Sequence, residues 1–274
     1  MITSLNNPRI KEVIKLNNKA KARKDAGAFL VEGIRMFREA PFSQVKEVYM
    51  TESFFGKYAS EDCVVRFKSY MTYDGVPVKK DGPFVTLVSD ECMQKMCDTV
   101  TPQGVMAVVQ CNKYDVKEML TGEDAFILMI ENVQDPGNLG TMIRTAEAAG
   151  VTGVIMSHGT VDVYSPKVIR STMGAIYRMP VAYVPDMPSQ MDAMKRLGIN
   201  VYAACLDGAV DYTEPDYSGR CAIVIGNEGN GLTRGAIDSA TGGIFIPMAG
   251  NVESLNASIS AAVLMYEVSR QRRR

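Results

Sequence analysis

From residue 125 onward the chain alternates short apolar runs with helical stretches, and no other feature limits its fold so strongly. Strands are predicted over 126–130, 153–156, 179–183, 200–204, 221–225 and 243–246. Helices are predicted over 139–149, 166–174 and 189–197, with a last helix starting near Asn256. The strands read as continuous apolar runs rather than alternating ones, so both of their faces are buried. Repeated strand–helix–strand units of this kind form a parallel sheet with helices on both faces. In such a sheet, ligands bind outside the carboxyl ends of the strands. Attention therefore falls on the loops that follow 126–130, 221–225 and 243–246.

The first of these loops reads Glu131-Asn132-Val133-Gln134-Asp135-Pro136-Gly137-Asn138-Leu139-Gly140. Asp135-Pro136-Gly137 is a turn, because proline fixes φ and glycine tolerates the left-handed region, and Asn138 then reads as the helix N-cap. Arg144 lies six residues past that cap, near the mouth of the strand-end crevice, within reach of an anionic ligand. The second loop, Gly226-Asn227-Glu228-Gly229-Asn230-Gly231, has three glycines that let the backbone turn sharply and approach a ligand. The third runs from Pro247 through 248–255 to the last helix. Neither glycine group keeps the G-x-G-x-x-G order, and no glycine is followed by Lys and then Ser or Thr, so hydride transfer and nucleotide hydrolysis lose their main support. On composition alone, ordinary strand-to-helix turns explain these loops at least as well as a ligand site.

The N-terminal half predicts a short amphipathic helix within 4–22, strands over 29–32, 45–50, 64–67, 84–88 and 105–110, and helices over 33–40 and 91–96. A polar stretch over 111–124 reads as a linker, giving domains of 1–110 and 125–274. The chain has no long apolar run and no signal-peptide pattern, so a soluble cytoplasmic protein is expected, with no membrane partner. Its six cysteines lack C-x-x-C spacing and its one histidine, His158, stands without a nucleophile motif. No metal site or disulfide framework is expected. Net charge is −1, yet basic residues outnumber acidic ones in the first 38 residues and the chain ends with Arg270, Arg272, Arg273 and Arg274. Each cluster fits a phosphate-binding footprint and fits equally a solvated helix face.

Taken together, the three loops resemble the motifs of the SpoU/TrmH branch of the SPOUT RNA methyltransferases. The carriers are Asn132 to Gly140 with Arg144, Ile225 to Leu232, and Ile246-Pro247-Met248 with Ser254-Leu255-Asn256-Ala257-Ser258; Ser165-Pro166-Lys167 and Met173-Gly174-Ala175 add to them. The N-terminal half resembles, more loosely, a substrate-binding α/β domain similar to ribosomal protein L30e, through Asn7 to Lys11, Phe29 to Gly33 and Asp98 to Gly104. The resemblance implies an α/β fold whose parallel-sheet C-terminal domain carries a deep trefoil knot, S-adenosylmethionine as cofactor, and a homodimer. The activity it implies is methyl transfer to a ribose 2′-hydroxyl in ribosomal or transfer RNA, the alternative being an inactive RNA-binding assembly factor of the same fold. Gly226, Asn227, Ile246, Met248, Leu255 and Asn256 would hold the methyl donor. Arg144, Asn138, Glu228, Ser254 and Asn256 would form the catalytic frame. Arg9, Lys11, Arg23, Arg35 and Arg144 would contact RNA.

Overall fold

The computed structural model describes residues 1–73, 76–77 and 82–273. Backbone contacts divide the chain into one unit of Met1–Asn112 with Tyr164–Tyr177 and another of Lys113–Val163 with Arg178–Arg274. Residues 164–177, expected within the second domain, thus fall in the first unit.

In the first unit, α1 (Pro8–Asn18) begins where Asn7 Oδ1 accepts the Arg9 N–H and Pro8 fills the first turn. The single helix expected within 4–22 breaks at Lys19, whose extended backbone (φ −129°) separates α1 from α2 (Ala20–Ala26). There follow β1 (Ala28–Glu32), α3 (Ile34–Glu39), β2 (Val45–Met50), α4 (Glu52–Tyr58), α5 (Asp62–Val65) and a two-strand ladder of β3 (Thr72–Tyr73) and β4 (Val76–Pro77). Then come β5 (Phe84–Leu87), α6 (Asp90–Met96) and β6 (Val105–Gln110). The main sheet runs β1-β6-β2-β5 and is antiparallel except for the β2–β5 pair. Ile10, Val13 and Leu16 of α1 pack in one core with Leu30, Tyr49, Met93 and Met106.

The strand expected over 64–67 is helical instead. The N–H groups of Val64 and Val65 both donate to Glu61 O, and that of Phe67 donates to Val64 O. Val64 and Phe67, three residues apart, are buried, whereas Val65 is 47% exposed. The helical spacing of two core residues therefore decides the conformation over the β-branched composition of a very short run.

The second unit begins earlier than the expected linker allows. Residues 111–124 include α7 (Val116–Met119), and Met119 and Leu120 are buried in the core of this unit. Next come β7 (Phe126–Ile130), α8 (Pro136–Ala149) and β8 (Gly153–Ser157), then α9 (Pro166–Thr172), which belongs to the first unit. The chain continues through β9 (Val181–Val184), α10 (Met187–Arg196), β10 (Asn200–Ala204), β11 (Val210–Asp211), β12 (Cys221–Ile225), α11 (Arg234–Ser239), β13 (Gly242–Phe245) and α12 (Ala257–Arg272). These strands form one sheet in the order β11-β13-β10-β12-β7-β8-β9, and every pairing is parallel. Ile127 and Met129 of β7 face Met187, Met191 and Met194 of α10, while α12 packs on β12 and α8. The continuous apolar runs follow from this cover: all of β7 is at most 1% exposed.

The C-terminal arginines are mostly engaged within this unit. Arg270 pairs with Glu267 at 2.7 Å. Arg272 donates to the carbonyls of Tyr217 (3.1 Å), Asp124 (2.8 Å), Ala125 (3.2 Å) and Gly219 (2.6 Å), and its guanidinium lies 5.2 Å from the Phe126 ring centroid. The carbonyls just before β7 and β12 thereby gain a charged donor, Ala125 O in addition to the Cys221 N–H, and the end of α12 is fastened to the starts of these two strands. Arg274 lies outside the described residues. Replacement of Arg272 by Ala is expected to lower stability by about 2 kcal/mol, a typical figure for charged hydrogen bonds, in urea unfolding.

Candidate active site

Strands β7 and β12 are neighbours, with Ile225 opposite Ile130, so the loops that leave them start side by side. Asp135 rather than Asn138 caps α8: its Oδ1 accepts the Asn138 N–H at 2.8 Å, and Pro136 takes the first turn. Asn138 therefore lies one turn inside the helix, where its side chain is free to reach outward. Asn138 Nδ2 donates to Glu228 Oε1 at 3.0 Å, and Asn138 Oδ1 accepts from Asn256 Nδ2 at 3.0 Å. Asn256 in turn caps α12, its Oδ1 accepting the Ser258 N–H and hydroxyl at 2.9 and 2.7 Å. Glu228 also accepts the N–H groups of Gln134 and Asp135, both at 3.1 Å. One chain of hydrogen bonds thus joins all three loops. Partial burial works against the charge of Glu228, but the bonds from Asn138, Gln134 and Asp135 outweigh it and hold the carboxyl below its ordinary value of 4.5.

The loop that presents Glu228 is a closed ring. Asn227 and Gly231 exchange N–H···O bonds of 3.0 Å in each direction, and Asn227 Oδ1 accepts the N–H groups of Gly229 and Asn230. Asn227 Nδ2 donates to Asn132 O at 2.8 Å. The amide of Asn227, expected toward the methyl donor, is thus engaged in holding the loop. Gly226 is required for a similar reason, since a Cβ there would come within 2.3 Å of Gly231 C and 2.4 Å of Leu232 N. The close approach at Gly226 is that of the protein's own backbone. Asn132 sits in the left-handed region (φ 58°), held by its N–H to Ser157 Oγ and by the Ser157 hydroxyl to its Oδ1.

Beside the third loop lies a cavity of about 150 Å³ whose walls include Ile244, Ile246, Met248, Leu255 and Leu264, with Ser254, Glu253 and Cys205 at its polar points. A mostly apolar hollow with a few polar groups is the usual lining of a small-molecule site. A hollow of about 380 Å³ next to Ala125, Thr152 and Pro180 is at the opposite, amino end of the strands, away from the loops.

The structure therefore brings Asn138, Glu228 and Asn256 into contact, and Ile246, Met248, Ser254 and Leu255 around one cavity. Arg144 is exposed on α8 and has no hydrogen-bond or ion-pair partner among the described residues. Of the basic residues expected to bind RNA, Lys11 and Arg35 are exposed, and Arg9 lies over the Phe84 ring and pairs with Glu47 at 3.6 Å. Arg23 is corrected: it is 6% exposed and donates to the carbonyls of Leu16 and Asn17, closing the end of α1. His158 is exposed and stacks on Tyr183 with ring centroids 5.9 Å apart. Gln134, Asp135 and Ser157 hold the frame together and were not anticipated. An aspartate before proline at a helix start was the available signal for Asp135.

An all-parallel α/β unit with a polar frame and an apolar hollow at the carboxyl ends of its strands is the ligand-binding class this geometry defines. The chain belongs to the SpoU rRNA Methylase family, which matches residues 125–266, and an MRM3-like substrate binding domain matches residues 7–107. It is 33% identical over 269 residues to the 23S rRNA (guanosine(2553)-2′-O)-methyltransferase RlmP of Bacillus subtilis (strain 168), spanning 97% of this chain and 98% of that protein. The AdoMet-bound rRNA methyltransferase from Sinorhizobium meliloti superposes with a TM-score of 0.82 at 28% identity, covering 98% of this chain and 97% of that one. The SpoU methyltransferase AviRb from Streptomyces viridochromogenes, in complex with AdoMet, gives 0.82 at 26% identity over 97% and 98% of the two chains.

Gly226→Ala is expected to open the ring at Asn227 and Gly231 and to cost about 1–3 kcal/mol, as overpacking does, in chemical denaturation without ligand. The depressed pKa of Glu228 means that it stabilises the fold fully above the unfolded value and ceases to do so as pH falls through the folded one. The stability gap between wild type and Glu228→Gln is expected to be constant near neutrality and to shrink below pH 4.5, followed by urea unfolding across pH.

Proposed function

We propose that this protein transfers the methyl group of S-adenosylmethionine to the ribose 2′-hydroxyl of a nucleotide in ribosomal RNA. The observation that carries the reading is the hydrogen-bond chain from Glu228 through Asn138 to Asn256, set beside the apolar cavity at Ile246, Met248 and Leu255. The donor, when bound, supplies a methyl group on a positively charged sulfur. The walls of the cavity would hold it, with Ser254 as a polar point of the lining and Asn256 next in sequence to Leu255. Transfer then requires an in-line hydroxyl and loss of its proton, and correct placement accounts for much of the rate. A guanidinium offers a forked set of donors and no acceptor, so the part of Arg144 is to grip the phosphate next to the reacting ribose and orient the hydroxyl.

The first unit binds the RNA, with Lys11, Arg35 and the partly exposed Arg9 on its phosphates. Ribosomal RNA is the substrate favoured by the relatives' names, with transfer RNA as the other polymer to test. The reading includes the trefoil knot of the family and a homodimer. Supporting the dimer, Ile259 and Tyr266 of α12 are 50% and 46% exposed on one face, whereas Ala261, Leu264, Met265 and Val268 are buried. A cytoplasmic location accords with six free cysteines. No described helix is long and apolar enough to cross a membrane.

Incubation with radiolabelled donor and total cellular RNA is expected to label ribosomal RNA at a 2′-O-methyl site. An unlabelled product would instead favour an RNA-binding assembly factor. Arg144→Ala is expected to slow single-turnover transfer by about 100-fold or more while donor affinity, by calorimetry, stays within about twofold. Replacing Ile259 and Tyr266 together by Glu is expected to leave a folded monomer in light scattering.

A further inference from the structure

Glu131 is 4% exposed at the exit of β7, and no cation pairs with it among the described residues. Its Oε2 accepts the Thr233 N–H at 2.8 Å and its Oε1 accepts the Thr233 hydroxyl at 2.9 Å. Both acceptors thus engage a single residue 102 positions away in sequence. Thr233 is the N-cap of α11, its Oγ1 accepting the Ala236 N–H at 3.3 Å, and it stands two residues after the ring that carries Glu228. Burying a carboxylate carries a dehydration cost, so its place here rests on the two hydrogen bonds it accepts from Thr233.

The ring between Asn227 and Gly231 has two attachments to β7 and its exit. Asn227 Nδ2 to Asn132 O fastens its entry, and Thr233 to Glu131 fastens its departure. With both ends held to adjacent residues, Glu228 is presented at a fixed height to Gln134, Asp135 and Asn138. We propose that Glu131 is a positioning residue for methyl transfer: through Thr233 it sets the ring so that the Glu228 carboxylate meets Asn138. Glu131 acts only through this clamp and touches no substrate. The proposal rests on the methyltransferase reading above for its kinetic consequence, but the geometric consequence stands apart from it.

The test uses the full chain with Glu131→Gln, Thr233→Val and Thr233→Ser. Single-turnover transfer is measured at saturating donor and RNA, the Asn138 side-chain amide is followed by NMR, and urea unfolding is recorded alongside. The amide is assigned by its loss in Asn138→Ala. The expected result is a rate lower by about 10- to 100-fold in Glu131→Gln and Thr233→Val, as for supporting groups around other reactive centres, with a moved Asn138 amide resonance. Thr233→Ser keeps both donors and is expected to restore rate and resonance. Folded variants with wild-type rate and an unmoved resonance would overturn the proposal, even if their unfolding midpoints fall. Should Glu131→Gln not fold, Thr233→Val, which keeps the carboxylate and removes one hydroxyl, decides on the same readouts. A wild-type chain that methylates no RNA would overturn the proposed function, and the Asn138 resonance would still decide the clamp.

Discussion

The Glu228 carboxylate accepts hydrogen bonds from two backbone N–H groups and one side-chain amide of the loop and helix that follow β7. Without that carboxylate the N–H groups of Gln134, Asp135 and Asn138, which converge on one place, would lose the acceptor that the second loop supplies. An anion there makes these charge-assisted bonds, each stronger than its neutral counterpart. The bonds in turn let Asn138 present its carbonyl oxygen to Asn256, so the third loop depends on the same charge. The frame is thus assembled by one side chain and is sensitive to anything that moves or neutralises it.

Strand order makes this possible. Residues 134–138, 227–231 and 256 are far apart in sequence, but β12 lies between β7 and β10, and α12 returns over β12 and α8. Parallel neighbours leave the sheet at the same end at a spacing of about 5 Å. Their loops are within hydrogen-bond reach before any special residue is considered. The glycines of the second loop complete the arrangement by folding that loop onto itself, which leaves Glu228 as its outward point.

The parallel sheet was legible because period and composition report burial on both faces, and all six strands expected from residue 125 onward are present with small shifts at their ends. The loops were legible as a group. What each polar residue does within them was not. Asn138 read as a cap because asparagine prefers caps, yet Asp135 takes that place and the competition between two good capping residues is settled by the proline between them. That Asn227 and Gly226 are also needed by the turn itself was not legible, because the turn depends on contacts between residues not adjacent in sequence. Arginines gave the least reliable signal. Arg23 and Arg272 close carbonyl groups inside the fold, and sequence cannot distinguish them from Lys11 or Arg35, because a solvated cation and a buried carbonyl cap share the same letters.

The ring between Asn227 and Gly231 bears on how this protein ages. Asn230 precedes Gly231, a pairing in which asparagine loses ammonia readily when the following backbone nitrogen attacks its side-chain carbonyl. Here that nitrogen donates to Asn227 O at 3.0 Å and is held away from the attack. The same fastening that gives Glu228 its place thus guards the loop from slow conversion to aspartate, which would set a second negative charge two residues from the first.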